Sequence, residues 1–203
     1  MSLKSILRGV APLAALALAA AASGGCDKMH VSLNGEEGKK LSELDLTGTP
    51  PSKVALLGPD TVRIAPGDTL AISIDGDPDV AEQMRFTLKD GTLGILRKNG
   101  KWSSDETVTV NVTMPAPKKL MVAGSGKIVS PGLASDSARV SVAGSGDTAF
   151  ASDGMVKASI MGSGEVRVIG RATCKVTAMG SGRLVCEPAA SAGAKPKGDR
   201  PKA

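Results

Sequence analysis

Four copies of Gly-Ser-Gly, three cysteines and one histidine are the residues of this 203-residue chain from which chemistry could be built. The tripeptides stand at Gly124-Ser125-Gly126, Gly144-Ser145-Gly146, Gly162-Ser163-Gly164 and Gly180-Ser181-Gly182. A glycine-rich run before a lysine can cradle phosphate, and Ala123 to Ser130 has that outline. It fails in detail. Met121 stands where the first glycine of a phosphate loop is required, and Ile128 where Ser or Thr must follow Lys127. His30 lies in a polar segment far from the repeats, which removes the base from Ser-His and Cys-His schemes. Cys174 and Cys186 alone are too few ligands for a metal centre. No cofactor or metal is expected.

Lys127, Asp147, Glu165 and Arg183 each follow a tripeptide directly. If the tripeptides stack, these four form a ladder along one edge. One reading is an exposed ladder of ion pairs; the sharper one is a weak cation site between Asp147 and Glu165, opposed by the flanking Lys127 and Arg183. Glycosidic cleavage needs paired carboxylates, about 5–10 Å apart. Only Trp102 could stack a sugar, since the chain has one Trp, two Phe and no Tyr. The expectation is a non-enzymatic protein; a polysaccharide-binding or polysaccharide-active one is the alternative. Asn111-Val112-Thr113 matches a glycosylation triplet, which in a strand reads as chance.

Successive tripeptides begin 20, 18 and 18 residues apart, the period of stacked rungs. Alignment on them gives columns. Four before the first glycine stand Leu120, Val140, Ala158 and Val176; two before stand Val122, Val142, Ile160 and Ala178. Polar residues mostly fill the position between, which is strand alternation in register on every rung. Ile128, Thr148, Val166 and Leu184 begin a second inward strand after the corner. The glycines suit a sharp bend and close stacking, and the serine hydroxyl is expected to tighten the bend by bonding local backbone. Cys174 falls in the column of Ala138 and Val156, and Cys186 in that of Phe150 and Val168, both inward. A disulfide closing the last rung is expected, with two buried free thiols as the alternative.

Upstream, Leu70, Ile72 and Ile74 alternate with polar or small residues, as do Val108, Val110, Val112 and Met114. Phe86 and Leu88 run through Asp90-Gly91 to Leu93 and Ile95, a hairpin signal. Residues 26–52 are polar, broken by Gly and Pro, and read as a tether with a short helical turn near Leu41 to Leu46. Residues 188–203 read as a disordered basic tail.

The N-terminus reads as a signal peptide, 1–25: Lys4 and Arg8, an apolar run from Val10 to Ala22, then Ser23-Gly24-Gly25 before Cys26. The apolar run is too short for a comfortable membrane span. Two fates fit Cys26. It carries lipid and becomes the new N-terminus, as the lipobox-like tripeptide suggests, or a general peptidase cleaves there. Ser23 in place of Leu supports the second. The odd cysteine count supports the first, because lipid on Cys26 leaves Cys174 and Cys186 as a pair. Asp27 then points to retention at the inner membrane. The formal charge of +5 sits in leader and tail, leaving the stretch between near neutral. Nucleic acid is therefore not expected as a partner.

The strand order, the Asp90 to Leu93 segment, the Val110 to Pro115 strand and the serial Gly-Ser-Gly corners together resemble the head GIN domain family, labelled putative auto-transporter adhesins. The resemblance spans about Val54 to Glu187. An acidic residue commonly follows Gly-Ser-Gly in that family; Asp147 and Glu165 keep the pattern, Lys127 and Arg183 depart from it. The resemblance implies a β-solenoid, export or lipid anchoring, and no catalytic residues. The architecture expected is all-β: a right-handed parallel β-solenoid over 53–187, with Gly-Ser-Gly rungs at 118–187. The expected role is structural, adhesive or interaction-forming in the cell envelope, with the membrane reached through a lipid anchor and a protein or polysaccharide partner.

Overall fold

The structure, a computed structural model, describes Leu33 and residues 37–98, 106–134 and 137–188. The leader, Cys26, His30, Trp102 and nearly all of the basic tail lie outside the described residues.

Strands dominate. In chain order they are β1 (Lys53–Leu57), β2 (Thr61–Pro66), β3 (Ala71–Asp75), β4 (Met84–Lys89), β5 (Thr92–Arg97), β6 (Thr109–Met114), β7 (Lys119–Gly124), β8 (Lys127–Ala134), β9 (Ser137–Gly144), β10 (Asp147–Ala151), β11 (Met155–Gly162), β12 (Glu165–Ile169), β13 (Thr173–Met179) and β14 (Arg183–Glu187). One short helix, α1 (Pro78–Ala81), separates β3 from β4. Asp77 caps it, Oδ1 accepting from the Asp79 and Val80 amides, with Pro78 in its first turn.

The strands form two seven-stranded sheets. The first runs β13-β11-β9-β7-β1-β5-β4 and the second β14-β12-β10-β8-β2-β6-β3. Pairing is parallel throughout except at one end, where β4 and β3 run antiparallel to β5 and β6. The antiparallel β4–β5 pair is the hairpin expected at Asp90-Gly91, whereas the antiparallel β3–β6 pair departs from the parallel solenoid expected over 53–187. Hairpin chemistry explains β4: Asp90 and Gly91 both have positive φ, 52° and 65°, which closes the two-residue turn.

Each Gly-Ser-Gly joins a first-sheet strand to a second-sheet strand. Two further units lie beyond those visible in the repeat. β1 and β2 flank Gly58-Pro59-Asp60, which takes the corner position although only one glycine is present. β5 and β6 pair outside β1 and β2. Order in the stack thus departs from order in the chain, because β5 and β6 insert between the first unit and the capping strands.

Alternation decides what is buried. β11 reads exposed-buried throughout its first six residues, and β9 does so over its first four, with half-buried Ser141 before buried Val142. Inward residues of both sheets join one core of Val, Ile, Leu and Met with Phe86 and Phe150. Part of the segment read as tether is held against this body. Lys39 bridges Phe86, a 3-10 turn spans Leu41–Glu43, and Leu33 is buried. Leu41, Leu44 and Leu46 pack on the core, so the leucines of that stretch give up water for apolar contact.

Candidate functional site

The four tripeptides lie in one row. Gly124 pairs with Gly144, and Gly144 with Gly162; Gly182 then donates its amide to the Gly162 carbonyl at 2.9 Å. A side chain at Gly144 would place its Cβ 2.5 Å from the Gly124 carbonyl oxygen, at a φ of 113°. These glycines are therefore corners, their Cβ positions taken up by the main chain of the neighbouring unit. Ser125, Ser145, Ser163 and Ser181 are exposed, and their hydroxyls bond no described residue. The expectation that they tighten the bend is corrected: main-chain bonds between units do so, the Ser145 amide to the Gly124 carbonyl at 3.0 Å and the Ser163 amide to the Gly144 carbonyl at 2.9 Å.

Lys127, Asp147, Glu165 and Arg183 do form a ladder on the second sheet. The carboxylates are engaged. Asp147 Oδ1 accepts from the Glu165 amide at 3.0 Å, and Glu165 Oε2 meets Arg183 Nη2 at 2.5 Å. Arg167 donates to Glu165 Oε1 and reaches Glu187 at 2.8 Å. The Arg167 guanidinium, seconded by Arg183, holds the Glu165 carboxyl below the ordinary glutamate value. Among the described residues no cluster of three or more His, Cys, Asp or Glu could hold a metal.

The first sheet carries a different pattern. β1, β7, β9, β11 and β13 contain no Asp or Glu. Each has a single charged residue, and it is basic: Lys53, Lys119, Arg139, Lys157 and Lys175. Register places all five in one row on neighbouring strands. At the usual strand spacing the row is roughly 19 Å long. Lys53 Nζ donates to the Asp90 carbonyl at 3.2 Å. Lys119, Arg139, Lys157 and Lys175 have no acidic partner among the described residues. Sequence reasoning missed this row, though its signal was present. The residue five before each tripeptide is Lys119, Arg139, Lys157 or Lys175. Near neutrality of the whole body concealed a concentration of cations on the first-sheet strands.

At the far end of the stack Cys174 and Cys186 are bonded, with Cα atoms 6.7 Å apart. Their columns point inward on the two preceding units, at Ala138 and Val156 and at Phe150 and Val168. Here no further unit among the described residues covers them: Cys174 is half-buried, Cys186 exposed, and Val176 is 50% exposed. At the opposite end Leu41, Ile74, Pro78, Ala81 and Met84 line a cleft of about 630 Å³, beside which Lys40 and Glu82 pair at 2.6 Å.

The family model described as putative auto-transporter adhesin, head GIN domain, matches residues 50–187, which contain the whole two-sheet body. The chain belongs to the head GIN domain family. This head GIN chain is also similar to solved structures. A putative cell adhesion protein from Clostridium sporogenes is 13% identical, with 71% of this chain and 96% of that one covered and a TM-score of 0.45. A putative lipid binding protein from Parabacteroides distasonis is 14% identical, covering 68% and 93%, TM-score 0.41. A putative adhesin from Parabacteroides merdae is 13% identical, covering 68% and 92%, TM-score 0.39. No curated protein matches. No helix among the described residues of the head GIN chain is long and apolar enough to cross a membrane.

Proposed function

We propose that this head GIN chain is a non-enzymatic envelope protein. It is exported by residues 1–25, held at a membrane by lipid on Cys26, and carries at 53–187 a β-solenoid whose first-sheet face is an adhesive or interaction surface. The row Lys53, Lys119, Arg139, Lys157 and Lys175 carries the reading. Like charges on neighbouring strands oppose folding, and an anionic partner offsets that cost. Stacked units with corners in line support the solenoid, and family membership supports adhesion. The engagement of Asp147 and Glu165 by amide and arginine partners supports a non-catalytic role.

The test is sedimentation of the purified full chain with envelopes isolated from its own cells. Saturable binding is expected for the natural sequence and its loss for Arg139→Glu/Lys157→Glu, with weaker binding at high salt. Equal binding by both chains at all salt concentrations rejects this face as the contact surface.

A further inference from the structure

We infer that the first-sheet face binds an anionic phospholipid surface, through the cation row together with the methionines on either side of it. The inference rests on the interaction reading above and names its ligand. Met155, Met161 and Met179 are 41%, 54% and 70% exposed. Met155 lies two residues before Lys157 and Met161 four after it, so all three share one face of β11. Met179 stands four after Lys175 and pairs laterally with Met161. Of five large apolar side chains exposed among the described residues, these three flank the Lys157–Lys175 end of the basic row; Ile169 is on the second sheet and Val176 at the open end.

Cations alone would serve a soluble polyanion, and the thioethers would stay in water. At a bilayer interface both kinds of side chain gain. Lys and Arg approach headgroup phosphates while apolar side chains leave water at the boundary of the acyl region. The five strands contain no aromatic residue, so they offer no platform for stacking a base or sugar ring. Small side chains, Ser141, Ser159 and Thr177, separate the charges from the Met161–Met179 edge. Strands that present cations and thioethers and no rings suit a plane better than a polymer read by stacking.

The experiment compares full chains that all carry Cys26→Ser, so leader and tail are constant and lipid at that position is absent. One is otherwise natural, one is Arg139→Gln/Lys157→Gln/Lys175→Gln, and one is Met161→Ser/Met179→Ser. All five altered side chains are exposed, and far-ultraviolet circular dichroism verifies that each chain is folded. The probes are vesicles of phosphatidylcholine, vesicles of phosphatidylcholine with phosphatidylglycerol, polygalacturonate and polyuridylate. The natural face is expected to prefer the anionic vesicles. The glutamine chain should bind them on the order of a hundredfold more weakly. The serine chain should lose several-fold on vesicles and nothing on the soluble polymers. Vesicle binding indifferent to the methionines overturns the lipid assignment. If a soluble polymer then binds in a cation-dependent way, the interaction reading survives with that ligand. If no probe responds to the three cations, both readings fail.

Discussion

Asp60 and Arg97 meet wholly inside the protein, 0% and 2% exposed, with Arg97 Nε donating to Asp60 Oδ2 at 2.8 Å and Nη2 to Oδ1 at 2.5 Å. Asp60 Oδ1 also accepts from the Val108 amide at 3.0 Å, and Arg97 Nη2 donates to the Glu106 carbonyl at 2.6 Å. The register puts Asp60 at the position that Gly126 takes on the next unit. The pair therefore ties the last corner of the row to the β5–β6 unit beyond it. Removing one partner leaves an uncompensated buried charge. Arg97→Met is expected to cost about 3–5 kcal/mol in urea denaturation, and Asp60→Asn/Arg97→Met to recover most of it. A double variant as unstable as the single one would show that the arginine stem, rather than its charge, is what the site needs.

Gly144 and Ser145 are neighbours with opposite sensitivities. Alanine at 144 must adopt a φ of 113° with its Cβ 2.5 Å from the Gly124 oxygen. Backbone strain of about 1–3 kcal/mol is the minimum cost. Ser145→Ala touches only an exposed hydroxyl and should be neutral within about 0.5 kcal/mol. Thermal denaturation of the two variants checks the contrast.

Thr148 is buried in the column of Ile128 and Val166, and its Oγ1 has no hydrogen-bond partner. Val has the same shape without the hydroxyl. Thr148→Val should raise stability by about 1–2 kcal/mol, since an unsatisfied buried polar group is removed. A loss of stability would mean that the hydroxyl is satisfied by water.

Reduction of Cys174–Cys186 should act locally. The bond closes a loop over a separation of 12 residues and contributes about 3 kcal/mol in the chain-entropy account. Amide exchange should quicken first in β13 and β14, which lie at the sheet edges, with β1 and β7 unchanged. Uniform acceleration across both sheets would show that the end unit unfolds only with the whole.

Glu165 gives the second-sheet ladder a pH dependence. Arg167, then Arg183, lower its folded pKa below that of the unfolded chain. Its contribution is complete above the ordinary glutamate value, near 4.3, and is lost as pH falls through the lower folded value. Carboxyl NMR should place the Glu165 midpoint below the usual glutamate range, and Arg167→Gln should move it upward. An unmoved midpoint would assign the effect to another neighbour.

Local chemistry determined much of this protein from the sequence. The Gly-Ser-Gly row, the inward columns, the Asp90-Gly91 hairpin and the convergence of Cys174 and Cys186 all follow from alternation and turn preference, which act over a few residues. The column five before each tripeptide was equally legible and held the basic row. Tertiary structure alone decided the rest. Lys53 joined that row only because β1 pairs with β7, 66 residues later. β5 and β6 entered between the first unit and its caps, and Arg97 reached Asp60, through pairings between distant segments. No local period encodes which strand lies next to which. Gly58-Pro59-Asp60 escaped the repeat for a steric reason. Gly58 keeps the positive φ of the corner, 142°, and Gly126 stacks on the Asp60 carbonyl, but nothing is packed closer than 3.6 Å on a Gly58 Cβ, and Pro59 and Asp60 stand where the later corners have Ser and Gly.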